Sequence, residues 1–142
     1  MATDNKTILV VDDVDLVRRI ANRMLTREGY RVLEAADADE ALGLLSKLGG
    51  NVDLVLLDVI LADNDGVALY ADIRVRWPGI PVVFMSAHAA EILAAWGQED
   101  LTVPFLAKPF TSQEITSTVR AAITKSVPPW PRRTSGAQSL KG

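Results

Sequence analysis

The chain contains no cysteine, which excludes disulfide staples, thiolate metal ligands and cysteine nucleophiles and points most simply to the cytoplasm. It also lacks any apolar run approaching the roughly 20 residues needed to span a bilayer, and Met1 to Thr7 are polar, so neither a membrane span nor a signal peptide is expected. Basic residues are not in excess. A formal charge of -3 gives no general attraction to nucleic acid or to an anionic membrane. Histidine occurs once, as His88, and reads as an exposed residue at the mouth of a site rather than a phosphoryl carrier.

What is present is informative. A chain of 142 residues with 49% apolar content is the usual size of one domain and has enough apolar material for a sizeable core. Four short apolar runs end on chemically loaded residues: the first on Asp12 and Asp13, then Val52 to Leu57 on Asp58, Pro81 to Met85 on Ser86, and Phe105 to Ala107 on Lys108. Strands buried in a parallel sheet read as near-continuous apolar stretches, and open α/β sheets place ligands beyond the carboxyl ends of their strands. The five side chains are therefore expected at one edge. Three carboxylates, a hydroxyl and an ammonium describe a site for a divalent cation and a phosphoryl group.

Helical patterns alternate with these strands. Leu16, Val17, Ile20, Met24 and Leu25 recur at helical spacing before a stop at Gly29. Tyr30 to Ala35 reads as another strand, and Asp37 with Glu40 as an acidic capping box for a helix bearing Ala41, Leu42, Leu45 and Leu48. A polar loop, Leu61 to Gly66, precedes a helix with Leu69, Tyr70, Ile73 and Trp77, ended by Pro78. A weaker helix spans Glu91 to Trp96, and Thr111 with Glu114 caps a last one carrying Ile115, Val119, Ala122 and Ile123. Trp77 and Trp96 read as packing residues. The expected fold is α/β: a five-stranded parallel sheet, doubly wound as (βα)5, in a three-layer flavodoxin-like sandwich. Residues 1–126 form the domain, and the proline-rich segment 127–142, with Trp130 as its one large aromatic, reads as an extended or disordered tail.

IleLeuValValAspAsp, ValAspLeuValLeuLeuAsp, PheMetSerAla and LeuAlaLysProPhe, in this order and separation, resemble the receiver domain of two-component response regulators, of the stand-alone chemotaxis-regulator kind. The likeness covers about residues 6 to 125. It implies that Asp58 accepts a phosphoryl group from the phosphohistidine of a histidine kinase or histidine phosphotransfer protein. It further implies that Mg2+ is held by Asp12, Asp13, Asp58 and the backbone carbonyl of Ile60. Lys108 and Ser86 then meet phosphoryl oxygens, Ser86 and Phe105 act as switch residues, and Lys108–Pro109 is a cis step. The resemblance implies a signalling phosphoprotein rather than an enzyme with a free substrate. Its downstream protein target stays unnamed, and monomer or homodimer stays open. The alternative is a phosphorelay intermediate or a receiver excised from a hybrid histidine kinase, used as a docking module.

Two positions depart from the family pattern. Ala62 stands where proline is common, followed by Asp63, Asn64 and Asp65, and Asp100 to Pro104 replaces the usual Gly-Ala turn. A metal-dependent phosphatase of related topology would need a second acid two residues past the nucleophile. Ile60 has no proton to give there.

Overall fold

The computed structural model describes residues 6–61, 66–96 and 103–124, without the side chains of Leu93 and Trp96. The expectations for the 127–142 tail, the Ala62 to Asp65 loop, the turn at Asp100 to Thr102 and the packing of Trp96 lie outside those residues.

Five strands and five helices alternate: β1 (Thr7–Val11), α1 (Asp15–Arg27), β2 (Arg31–Ala35), α2 (Ala38–Lys47), β3 (Leu54–Asp58), α3 (Gly66–Arg76), β4 (Val82–Ser86), α4 (Ala89–Trp96), β5 (Phe105–Ala107) and α5 (Ser112–Thr124). The sheet is wholly parallel, in the order β2-β1-β3-β4-β5. Both faces are covered, which explains why the inner strands β1, β3 and β4 read as near-continuous apolar runs rather than alternating, while the edge strand β2 carries Arg31 and Glu34. Successive residues still take opposite sides, because side chains on a strand have a period of two. Ile8, Val10, Leu54, Leu56, Val83 and Met85 pack with α1 and α5 through Ala21, Leu25, Ile115 and Val119. Leu9, Val11, Val55, Leu57, Val82 and Phe84 pack with α2 and α3 through Ala41, Leu45, Leu69 and Ile73.

The expected caps form. Asp37 accepts from the Glu40 amide at 2.8 Å while Glu40 Oε1 accepts from the Ala36 amide at 2.7 Å. Thr111 and Glu114 satisfy each other's amides at 3.0 and 2.8 Å, a complete capping box. One helix differs from its apolar pattern: α1 buries Ala21 and Leu25, whereas Leu16 is 66% and Ile20 40% exposed. Both project from the outer side of the helix. Arg74, a basic residue in an apolar stretch, is buried on α3 and donates to the carbonyls of Ile80 (2.6 Å) and Pro78, capping the chain that leads into β4.

Trp77 packs against the α2–α3 side of the core, as its position at a helix end suggested. Its indole leaves no room for a side chain at Gly50, whose φ of +76° also falls in the left-handed region. Gly43, in the middle of α2, faces open space. Gly43→Ala should therefore raise the stability of the chain by about 0.5–1 kcal/mol in urea unfolding, whereas Gly50→Ala should lower it by at least about 1 kcal/mol.

Candidate functional site

The carboxyl ends of β1, β3, β4 and β5 carry Asp12, Asp58, Ser86 and Lys108 in turn, on either side of the point where the strand order reverses between β1 and β3. Register brings them together. Val11 pairs with Leu57 and Asp58 with Met85, so Asp12 and Ser86 each lie one step beyond a paired position. Asp12, Asp58 and Ser86 are buried, and Asp13 is exposed beside them.

Lys108 reaches back across the sheet into this group. Its ammonium donates to Asp12 Oδ2 at 2.6 Å and to Asp58 Oδ2 at 2.8 Å. The second oxygen of each carboxylate accepts from an amide two residues downstream: Asp12 Oδ1 from Val14 at 2.8 Å, and Asp58 Oδ1 from Ile60 at 2.9 Å. Burial pushes the Asp58 carboxyl above its ordinary range; the Lys108 ammonium and the Ile60 amide oppose the rise, and the Asp12 charge adds to it. Burial alone would lower the Lys108 ammonium, but its two carboxylate partners outweigh this and raise it.

Asp12, Asp13 and Asp58 each bring a carboxylate oxygen within 4.8 Å of the others. Three carboxylates against one ammonium leave uncompensated negative charge, and the side-chain donors are all oxygen. Such a set suits a hard divalent cation that keeps some of its waters. The Ile60 backbone lies at the same rim.

Ser86 Oγ accepts from the His88 amide at 2.9 Å, and the Ser86 carbonyl accepts from the Lys108 amide at 2.9 Å, tying the ends of β4 and β5 together. The Lys108–Pro109 bond is cis. Phe105 lies against Phe84 (5.9 Å between ring centroids), which lies against Tyr70 (5.0 Å). His88 is exposed at the mouth, 3.7 Å from a Glu91 oxygen.

Asp12, Asp13, Asp58, Ile60, Ser86 and Lys108 thus stand at this end of the sheet, whereas Phe105 opens β5 and pairs with Phe84 in the middle of β4. Two contributors were not read there. Gly66 opens α3 so close to the Asp58 and Val59 carbonyls that a Cβ would collide with both; the loop glycine before an apolar helix was its only signal. Arg18 donates to the main-chain oxygen of Asp12 at 2.7 Å, and nothing but its spacing from Asp15 hinted at a local role.

Comparison with known proteins places this geometry. Residues 8–120 match the sequence model of the response regulator receiver domain. The chain is 38% identical over 127 residues to the sensor kinase CckA of Brucella abortus, covering 87% of this chain and 13% of that protein. It is 33% identical over 124 residues to the transcriptional regulatory protein ResD of Bacillus subtilis, covering 87% and 50%. The chain thus spans half of such a regulator and a small part of the kinase. The crystal structure of the receiver domain from the hybrid histidine kinase CckA superimposes with a TM-score of 0.69 at 35% identity, covering 82% of this chain and 98% of that one.

Removing the ammonium would leave two buried carboxylates unpaired. Lys108→Met is expected to cost about 3–5 kcal/mol at neutral pH. A carboxyl raised on folding contributes stability that is present below its ordinary range and lost as pH rises through its folded value. Asp58 in the variant, without its main opposing partner, should follow this course more steeply than in the wild type. Urea melts from pH 4 to 8 should show the deficit of Lys108→Met shrinking toward low pH.

Proposed function

The chain belongs to the response regulator receiver domain family of two-component systems, and from that membership we propose that it accepts a phosphoryl group on Asp58 from a phosphohistidine of a histidine kinase or histidine phosphotransfer protein. The observation that carries this reading is the meeting of Asp12, Asp13, Asp58 and Lys108 at one sheet edge, with the ammonium 2.8 Å from the Asp58 oxygen. Asp12, Asp13 and Asp58, with the carbonyl of Ile60, would hold Mg2+, which when bound neutralises charge between the attacking and transferred oxygens. An Asp58 oxygen attacks phosphorus, the phosphorus–nitrogen bond to the donor imidazole breaks, and an aspartyl phosphate results.

Lys108 already lies against Asp58 and would meet an oxygen of the attached group as a charge-assisted donor. Ser86 would give up its local bond with the His88 amide and offer its hydroxyl to another. That exchange is the switch, and Phe105 on the adjoining strand would carry it outward. The protein transfers phosphate only to itself and acts as a cytoplasmic signalling phosphoprotein. Residues 1–126 are the acting unit, with 127–142 outside the transfer machinery.

Acetyl phosphate should label the wild-type chain in the presence of MgCl2, with label lost on adding EDTA or in Asp58→Asn. Labelling that survives either treatment at the wild-type level sinks the assignment.

Apolar residues stand exposed at the mouth, Val14 (48%) and Ile60 (54%), and on the adjoining helix α1, Leu16 and Ile20. A macromolecular donor would cover them, a small one would not. Leu16→Asp should slow transfer from a purified phosphohistidine protein at least tenfold, while acetyl phosphate labelling stays within twofold of wild type.

A second reading has its own support. The likeness to the receiver of a hybrid histidine kinase favours a relay carrier, in which the aspartyl phosphate passes on to another histidine. Back-transfer of label to a phosphotransfer protein within minutes distinguishes the carrier from an output switch.

A further inference from the structure

We propose that Arg18 is a positioning residue for the Asp12–Asp13 turn, setting its affinity for a divalent cation, an inference that rests on the metal reading above. The Arg18 side chain is only 13% exposed although it lies in the first turns of α1. Its guanidinium serves three acceptors: the main-chain oxygen of Asp12 at 2.7 Å through Nη1, Asp15 Oδ1 at 2.6 Å through Nη2, and Glu34 Oε1 at 3.1 Å through Nε. A planar fork with fixed donor directions suits such a task, which an ammonium could not fulfil.

The acceptor that matters is the Asp12 carbonyl. It belongs to the peptide plane that leads into Asp13, so fixing its oxygen fixes the direction in which the chain leaves one proposed ligand for the next. The amide of Asp12 is held as well, by the Ala35 carbonyl at 3.1 Å. Both backbone groups of Asp12 are thereby anchored to the end of β2, one directly and the other through Arg18 and Glu34. Glu34 is itself held, since its Oε2 accepts from Asn22 Nδ2 at 2.7 Å and Asn22 Oδ1 accepts from Thr26 Oγ1 at 2.9 Å. The relay runs from Thr26 on α1 to the main-chain oxygen of Asp12 and touches none of the site's carboxylate oxygens.

Charge and position act in opposite senses here, and their balance fixes the sign. A cation beside a metal site weakens metal binding by repulsion, so charge alone would make removal of Arg18 favourable. Removal would leave the Asp15 and Glu34 carboxylates unpaired, but they are 69% and 29% exposed, so solvent screens the charge left behind. Position is then the larger effect, and removal weakens binding. Partners that orient metal ligands from outside typically contribute 10- to 100-fold in affinity.

The test uses the full chain with MgCl2, read by calorimetry and by the magnesium-dependent rise of the melting temperature. Arg18→Met keeps the apolar stem and removes the fork. It should weaken Mg2+ binding at least tenfold, with the metal-free melting temperature within a few degrees of wild type. Arg18→Lys, which keeps the charge and loses the fork, should weaken it in the same direction and so separates position from charge, and it serves where Arg18→Met folds poorly. Hydrogen exchange without metal is the second readout: the Val14 amide, bonded to Asp12 Oδ1, should lose protection in Arg18→Met while β4 amides keep theirs. Unchanged or tighter Mg2+ binding by the variants overturns the role of Arg18. A wild type that ignores Mg2+ overturns the metal reading instead, and unchanged Val14 exchange then overturns the role of Arg18 on its own.

Discussion

Among the described residues, the Lys108 ammonium is the cation that holds two buried carboxylates together at the carboxyl edge of this sheet. Without it two buried carboxylates face each other across adjacent strands, each having lost its water. With it, both keep one oxygen on the ammonium and the other on an amide. The compensation stops short of neutrality. Asp13 adds a third carboxylate at the rim, so the pocket is stable as it stands and still favours another cation.

Such a pocket needs backbone brought unusually close. The chain after Asp58 must turn back at once so that α3 can cover β3, and Gly66 allows the helix to begin in contact with the Asp58 and Val59 carbonyls, its amide donating to Val59 at 2.8 Å. The same economy governs the strands. β3 and β4 are buried throughout, and only at their last residues does the apolar sequence give way to a polar side chain at the edge.

This is why the site was legible in the sequence. An apolar run fixes a buried strand, and the residue that breaks the run is the one the sheet delivers to its ligand-binding edge; Asp12, Asp58, Ser86 and Lys108 follow that rule. The capping residues Asp37, Thr111 and Glu114 were legible for a similar reason, since a cap is a local bond between residues three apart. Leu16 and Ile20 misled because helical periodicity reports which residues share a face, not what covers it, and here nothing among the described residues does. Arg18, Arg74 and Gly66 were not legible as contributors at all. Their partners are main-chain carbonyls, and carbonyls leave no mark on a sequence.

The molecule is tied together unevenly, and the unevenness runs along the sheet. On the β2 side the acidic turn is held by Ala35, Arg18, Glu34 and Asn22, with Asp15 as an outer partner. On the β5 side the strand is only three residues long, and α4 is eight, with Ala89 its one buried side chain among those described. Segments with few buried apolar contacts open at lower free energy than the rest of a fold. A change of bonding at Ser86 and Lys108 therefore meets little resistance toward α4 and β5, and a great deal toward β1 and β2. The proposed metal turn is built on the fixed half of the sheet and the proposed switch residues on the yielding half, with Lys108 as the side chain that touches both.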